Sequence, residues 1–121
     1  MAKTILLADD DPEILRILSL EFTRAGYEVM TARSGAETLD CLRQRRPDFL
    51  VVDYQMPSGD GVLVLGKARS LAPGLPMVVL TAHDSTHLRQ RALRLGARAV
   101  FAKPFPPSTL LAEIRGALGE K

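Results

Sequence analysis

Asp48–Asp53 reads DFLVVD, an apolar run from Phe49 to Val52 held between two acids. A strand with one wet face alternates apolar and polar residues, whereas a strand covered on both faces is apolar throughout. The run therefore predicts a central strand of a parallel sheet. Upstream, Ser34 with Glu37 three residues on forms a capping box. The helix it opens carries Ala36, Leu39 and Leu42 and ends in Arg43, Arg45 and Arg46, where the helix dipole favours cations, before Pro47 stops it. Further back, Tyr27–Ala32 (YEVMTA) alternates like a strand. Asp11-Pro12 opens a first helix striped by Ile14, Leu15, Leu18 and Phe22 and ended at Ala25-Gly26. Lys3–Ala8 (KTILLA) is the first strand candidate. Downstream, Tyr54–Gly61 (YQMPSGDG) reads as a loop, and a helix through Val62, Leu63, Leu65 and Ala68 follows, ended by Pro73-Gly74. Pro76–Ala82 (PMVVLTA) is a fourth strand, and Ser85 caps a helix through Leu88, Ala92, Leu93 and Leu95 that Gly96 closes. Ala99–Ala102 (AVFA) is a fifth strand, and Pro107 and Ser108 open a last helix with Leu110, Leu111, Ile114 and Leu118. Five strands alternating with five helices predict an α/β fold, a doubly wound parallel sheet with right-handed crossovers.

Composition sets the class. A chain of 121 residues is one domain's worth, expected to span residues 1–121. With 46% apolar and 25% charged residues it is neither disordered nor collagen-like. The apolar-rich stretches fall short of the roughly 20 residues a spanning helix needs, so no membrane association is expected. The N-terminus, MAKTILLADDD, turns acidic too early for a secretory signal. Cys41 is the single cysteine and cannot form an internal disulfide, which suits a reducing cytoplasm. A net charge of +2 does not imply direct nucleic-acid binding. The distribution is uneven: residues 1–60 hold seven bases and eleven acids, and residues 61–121 hold nine and three. The acids are early and the bases late, so an acidic site and a separate basic contact face are both open readings beside a plain solvated surface.

In doubly wound sheets ligands bind outside the carboxyl ends of the strands. Asp9 and Asp10 follow the first strand, Asp53 ends the third, Thr81-Ala82 ends the fourth, and Lys103-Pro104 follows the fifth. If these strands are neighbours, the residues converge on one rim. Two carboxylates about 4 Å apart repel by roughly 4 kcal/mol at an effective dielectric near 20. Three carboxylates need a cation among them: Lys103 offers one charge, and a divalent ion preferring hard oxygen ligands, Mg²⁺ or Mn²⁺, offers two. Carboxylates, one Lys, one hydroxyl and such an ion suit a phosphoryl group, and a carboxylate can be the nucleophile that accepts it. A single Asp after a strand is usually a turn or cap residue, and Asp11 is read so. The ordered set at matching strand ends is harder to attribute to turns alone.

LLADDDPEIL, LVVDYQMPSGDG, VVLTAHD and FAKPF resemble, in order and spacing, the signature blocks of response-regulator receiver domains, the phosphoacceptor modules of two-component signalling. The resemblance covers essentially the whole chain and implies a flavodoxin-like strand order 2-1-3-4-5. It implies that Asp53 is phosphorylated by a sensor histidine kinase or a histidine phosphotransfer protein. Asp10 would bind Mg²⁺ directly, Asp9 would assist, and the Gln55 backbone carbonyl would complete the protein ligands with Asp53. Lys103 would pair with the phosphoryl group, the Thr81 hydroxyl would reach toward it, and small Ala82 would leave it accessible. Lys103-Pro104 is expected to be cis. Gln55 and His83, two residues beyond Asp53 and Thr81, would tune the lifetime of the phosphoryl group. The implied output and dimerisation face is the fourth helix, fifth strand and fifth helix, where Arg89, Arg91, Arg94 and Arg98 cluster. Excess apolar residues on the first helix, including Ile14 and Ile17, would dock the donor's helices.

Two positions depart from the family pattern. The place of a swinging aromatic, three before the Lys, holds Val100, with Phe101 one step later on the opposite face of the strand. A smaller, Thr81-led shift of residues 82–88 is expected instead. Ser58 stands where a Gly is frequent. Four functional classes remain in view: a phosphorylation-activated switch, stand-alone or the N-terminal receiver of a larger regulator such as a transcription factor, with slow self-dephosphorylation and no turnover as an enzyme; a phosphohydrolase; a flavin module; and a receiver working without phosphorylation. The hydrolase is disfavoured because Gln55 cannot act as a general acid, and the flavin module because DDDPE would repel the cofactor's phosphate. The unphosphorylated receiver is disfavoured because every chemistry-bearing residue is present.

Overall fold

The computed structural model describes residues 2–57 and 59–119. The elements are β1 (Thr4–Ala8), α1 (Pro12–Arg24), β2 (Glu28–Ala32), α2 (Gly35–Gln44), β3 (Phe49–Asp53), β4 (Gln55–Met56), β5 (Gly59–Asp60), α3 (Gly61–Leu71), β6 (Met77–Thr81), α4 (Thr86–Arg94), β7 (Ala99–Ala102) and α5 (Pro107–Ala117). Five strands form one parallel sheet in the order β2-β1-β3-β6-β7. Leaving aside the two-residue strands β4 and β5, this is the expected order 2-1-3-4-5. β4 and β5 correct the reading of Tyr54–Gly61 as plain loop: Gln55 pairs with Asp60 and Met56 with Gly59 in an antiparallel ladder. Ser58, between them, lies outside the described residues.

Alternation along the strands splits the core into two layers. Ile5, Leu7, Phe49, Val51, Val78 and Leu80 pack with Leu18 and Phe22 of α1 and Leu110, Leu111 and Ile114 of α5. Leu6, Ala8, Leu50, Val52, Val79 and Val100 pack on the other face with residues of α2, α3 and α4. Phe49–Asp53 is buried throughout because helices lie on both of its faces.

The predicted caps form. The Asp11 side chain accepts from Glu13 N–H at 2.9 Å, Ser34 Oγ from Glu37 N–H at 3.1 Å, and Ser85 Oγ from Leu88 N–H at 3.0 Å. Gly26 and Gly96 follow α1 and α4 in the left-handed region, φ +98° and +104°, where a Cβ is strained. Three stripe assignments are corrected: Ala36 is exposed, and Leu63 and Leu93 are 58% and 51% exposed. On α3 the buried face is carried by Val62, Val64, Leu65 and Ala68, which leaves Leu63 on the outer side. The end of α2 is also corrected. The helix stops at Gln44, and Arg45 is extended, so only Arg43 of the three arginines lies in the last turn. The Arg45 guanidinium instead donates to Thr4 Oγ1 at 3.0 Å and to Glu28 at 3.1 Å.

Candidate phosphoacceptor site

The acidic residues are positioned by strand ends. β1 pairs with β3 through Ala8↔Val52, so the residues following Ala8 lie beside Asp53. Asp9 is held by its backbone N–H on Ala32 O at 3.0 Å, and its carboxylate accepts the Asp11 N–H at 2.9 Å. Asp11 thus caps α1 with its side chain and steadies Asp9 with its backbone. Carboxylate oxygens of Asp9, Asp10 and Asp53 lie within 4.8 Å of one another. Asp9 is fully buried, Asp53 is 6% exposed, and Asp10 is exposed.

Lys103 reaches the same point from the far side of the sheet. Its backbone N–H donates to Thr81 O at 2.7 Å, extending the β6–β7 pairing past Thr81↔Ala102. The Lys103 ammonium lies 2.9 Å from Asp9 Oδ2 and 3.5 Å from Asp53 Oδ1. The Lys103-Pro104 peptide is cis. Thr81, 1% exposed at the end of β6, accepts the His83 N–H on its Oγ1 at 3.0 Å. Ala82 and His83 are exposed beyond it, and Asp84 forms a two-pronged pair with Arg89 at 2.7 and 2.8 Å.

Burial is the largest influence on Asp53, followed by the Asp9 charge. Together they outweigh Lys103 and the Gln55 N–H and push its pKa up to about 6. Burial works against the charge on Lys103, but the hydrogen bond to Asp9 and the nearby charges of Asp53 and Asp9 prevail, holding it above its usual value. The site therefore holds excess negative charge that one ammonium does not cancel. Three hard carboxylate donors from two strand ends fit a small divalent cation.

Of the remaining predicted residues, Gln55 borders the cluster and the others lie elsewhere in the fold. Gln55 is exposed in β4, with its backbone N–H toward the Asp53 carboxylate. Val100 is 6% exposed in the layer facing α2, α3 and α4, whereas Phe101 packs in the layer of α1 and α5, its ring 5.9 Å from that of Phe105. The two are on opposite faces, as strand alternation requires. Arg91 is half-buried and Arg89, Arg94 and Arg98 are exposed around α4, and Arg98 pairs with Glu113 of α5 at 3.1 Å. Cys41 is half-buried in α2, and burial pushes its thiol up.

Sequence reasoning missed two backbone contributions: the Asp11 N–H on Asp9 and the return of the chain at Gly61 onto the end of β3. In the second, Gly61 N–H donates to Tyr54 O at 2.6 Å. Neither has a side-chain signal. Among the described residues no helix is long and apolar enough to cross a membrane.

The sequence pattern of the response regulator receiver domain matches residues 5–115. Response regulator MprA of Mycobacterium bovis (strain BCG / Pasteur 1173P2) is 41% identical over 118 residues, covering 98% of this chain and 51% of that protein. The chain spans about a quarter to half the length of the curated relatives it matches. Among solved structures, a CheY-like response regulator receiver domain protein from Methanospirillum hungatei JF-1 superposes with a TM-score of 0.95 at 31% identity, over 98% of this chain and 95% of that one. A response regulator from Burkholderia pseudomallei, solved with a phosphorylated aspartic acid, calcium ion and citrate, superposes with a TM-score of 0.86 at 25% identity, over 98% and 75% of the two chains. With the fold, the clustered strand-end residues and these matches in agreement, the chain belongs to the response regulator receiver domain family of two-component signalling.

Proposed function

We propose that this receiver domain is a switch that accepts a phosphoryl group on Asp53 from a phosphohistidine donor, with Mg²⁺, or Mn²⁺ in its place, bound at the acidic rim. The reading rests chiefly on one observation: carboxylates from β3 and from the segment after β1 crowd within 4.8 Å, against one Lys. Asp9, Asp10, Asp53 and the Gln55 carbonyl would hold the ion. When bound it would offset the carboxylate charge and draw negative charge from the phosphoryl oxygens.

The chain's own residues do the rest. An Asp53 carboxylate oxygen attacks phosphorus; the new P–O bond forms as the donor's P–N bond breaks, and the imidazole leaves with the electron pair. Lys103 sits 3.5 Å from Asp53 Oδ1, where its charge meets the incoming oxygens. Thr81 Oγ1 accepts from His83 N–H and so keeps its own proton to donate to a phosphoryl oxygen. Ala82 adds no bulk there. Gln55 and His83, both exposed, border the path of a hydrolysing water and set how long the adduct lasts. Water attack on the chain's own acyl phosphate is then a slow reset, and the protein is not a turnover enzyme.

The donor is a sensor histidine kinase or phosphotransfer protein, whose helices would rest on the groove formed by Ile14, Ile17, Leu18, Phe105 and Pro107 beside Lys103. The output partner, or a second phosphorylated copy, would meet α4, β7 and α5. The reading places the domain in the cytoplasm, alone or as the receiver of a longer regulator, as in its longer relatives. Incubation with acetyl phosphate and Mg²⁺ followed by intact mass measurement tests it. One phosphoryl group per chain is expected, absent in Asp53→Asn and with chelator. Catalytic release of phosphate without an adduct would refute the switch.

A further inference from the structure

The chain leaves β3 at Asp53, passes through β4 and β5, and returns to touch the place it left. Tyr54 N–H donates to Leu80 O at 2.8 Å, and Gly61 N–H donates to Tyr54 O at 2.6 Å. The peptide after Asp53 is thereby pinned between β6 on one side and the start of α3 on the other. The segment so closed contains Gln55, whose N–H faces the Asp53 carboxylate.

Gly61 closes this loop at a distance no other residue tolerates. A Cβ built there would lie 2.8 Å from Tyr54 Cα and 3.0 Å from the Asp53 carbonyl carbon, and closer still to the Asp53 carbonyl oxygen. All three are backbone atoms, which cannot rotate away as the end of a flexible side chain can. Gly66, in the same helix, contrasts with it: its nearest neighbour would be the Leu95 Cδ2 methyl at 4.0 Å. Gly116 in α5 would meet nothing within 4 Å.

We infer that Gly61 is a positioning residue for Asp53: direct contact between the start of α3 and the backbone of the phosphoacceptor sets where its carboxylate stands relative to Asp9, Asp10 and Lys103. Even one methyl at position 61 must move Asp53 and Tyr54 or lift α3 off β3. The first displaces Asp53 directly, and the second breaks the Gly61 N–H bond to Tyr54 O that pins the peptide after it. Misplacements of this size cost about 10–100-fold in rate when the reacting groups must be prealigned.

The inference rests on the phosphoacceptor reading, and its test separates the two. Wild type, Gly61→Ala, Gly66→Ala and Gly116→Ala are compared by acetyl phosphate phosphorylation rate, by melting temperature, and by the backbone amide NMR shifts of Asp53, Tyr54 and Gln55 without phosphate. Gly61→Ala is expected to shift those amides and to slow phosphorylation about 10–100-fold, while Gly66→Ala and Gly116→Ala leave both at wild-type values. Gly61→Ala is also made in a Gly66→Ala/Gly116→Ala background, whose added helix propensity offsets lost stability. The rate is expected to stay low there. A rate that recovers with the melting temperature would reduce Gly61 to a stability residue and overturn the inference, as would wild-type amide shifts in Gly61→Ala. A wild type that takes no phosphoryl group would defeat the phosphoacceptor reading, and the amide shifts would still decide the placement of Asp53.

Discussion

At the residue scale the site carries an electrostatic cost that one ammonium does not cancel. Asp53 titrates at about 6 in the fold, against about 3.9 for a free Asp, chiefly through burial and then the Asp9 charge. Between those values the folded state binds more protons than the unfolded one, so stability falls as pH rises through that window, and the full cost stands above it. Asp53→Asn removes the charge with nearly the same shape. Without divalent ions it should raise stability by about 1–2 kcal/mol at pH 8, and the gain should shrink toward zero by about pH 4. Thermal melts of both proteins across that range check this; a constant difference would mean that Asp53 is not the group titrating. Lys103→Gln acts in the opposite direction. Asp9 is fully buried and would lose its charged partner, so a loss of about 2–3 kcal/mol in urea unfolding is expected, partly recovered by Mg²⁺. No change in the urea midpoint would mean that the Asp9–Lys103 pair contributes nothing.

At the element scale, the part that moves when the proposed site is loaded should be the segment from β6 into α4. Its two ends are held differently. Thr81 Oγ1 accepts the His83 N–H, while Ser85 and the Asp84–Arg89 pair tie the loop to α4. If Thr81 turns to a loaded site, His83 N–H loses its acceptor and residues 82–88 rearrange. Val100 is packed in the core and offers no ring to swing. Hydrogen exchange with and without beryllofluoride and Mg²⁺ should change in residues 82–88 and stay level in Ala99–Ala102. An equal change in β7 would point to a different coupling. The same elements show what a sequence makes legible. The β3 run, the Asp11, Ser34 and Ser85 caps and the opposed faces of Val100 and Phe101 were readable because each follows from a local period or a side-chain hydrogen bond. The β4–β5 pair and the early end of α2 were not. The first is a two-residue backbone ladder with no apolar pattern, and the second depends on Arg45 finding Thr4 and Glu28, which are distant in sequence. The acidic rim was legible because strand ends in a doubly wound sheet share an edge. The contact of Gly61 with Asp53 was not, because a missing side chain leaves no pattern.

At the scale of the whole molecule, the sheet order decides whether charge gathers or disperses. β1 lies directly beside β3, and β7 lies beyond β6, so acids from the first half and Lys103 from the basic second half meet at one rim. A ligand that binds only the folded rim must stabilise the whole domain, by about 2.7 kcal/mol when its concentration is 100 times its dissociation constant. For a domain of this size that corresponds to a rise of several degrees in melting temperature, about 2–4 °C per kcal/mol at 150 residues and somewhat more below. Millimolar Mg²⁺ should therefore raise the melting point at pH 7.5, and matched ionic strength from sodium chloride should not, because screening alone cannot replace a divalent ion among clustered carboxylates of which two are buried. The Mg²⁺ effect should weaken below about pH 6, where protons compete for Asp53. It should also be smaller in Asp53→Asn, which has lost both a ligand and the repulsion the ion relieves. A melting curve indifferent to Mg²⁺, or moved equally by sodium chloride, would mean that the three carboxylates share an edge of the sheet without forming a cation site.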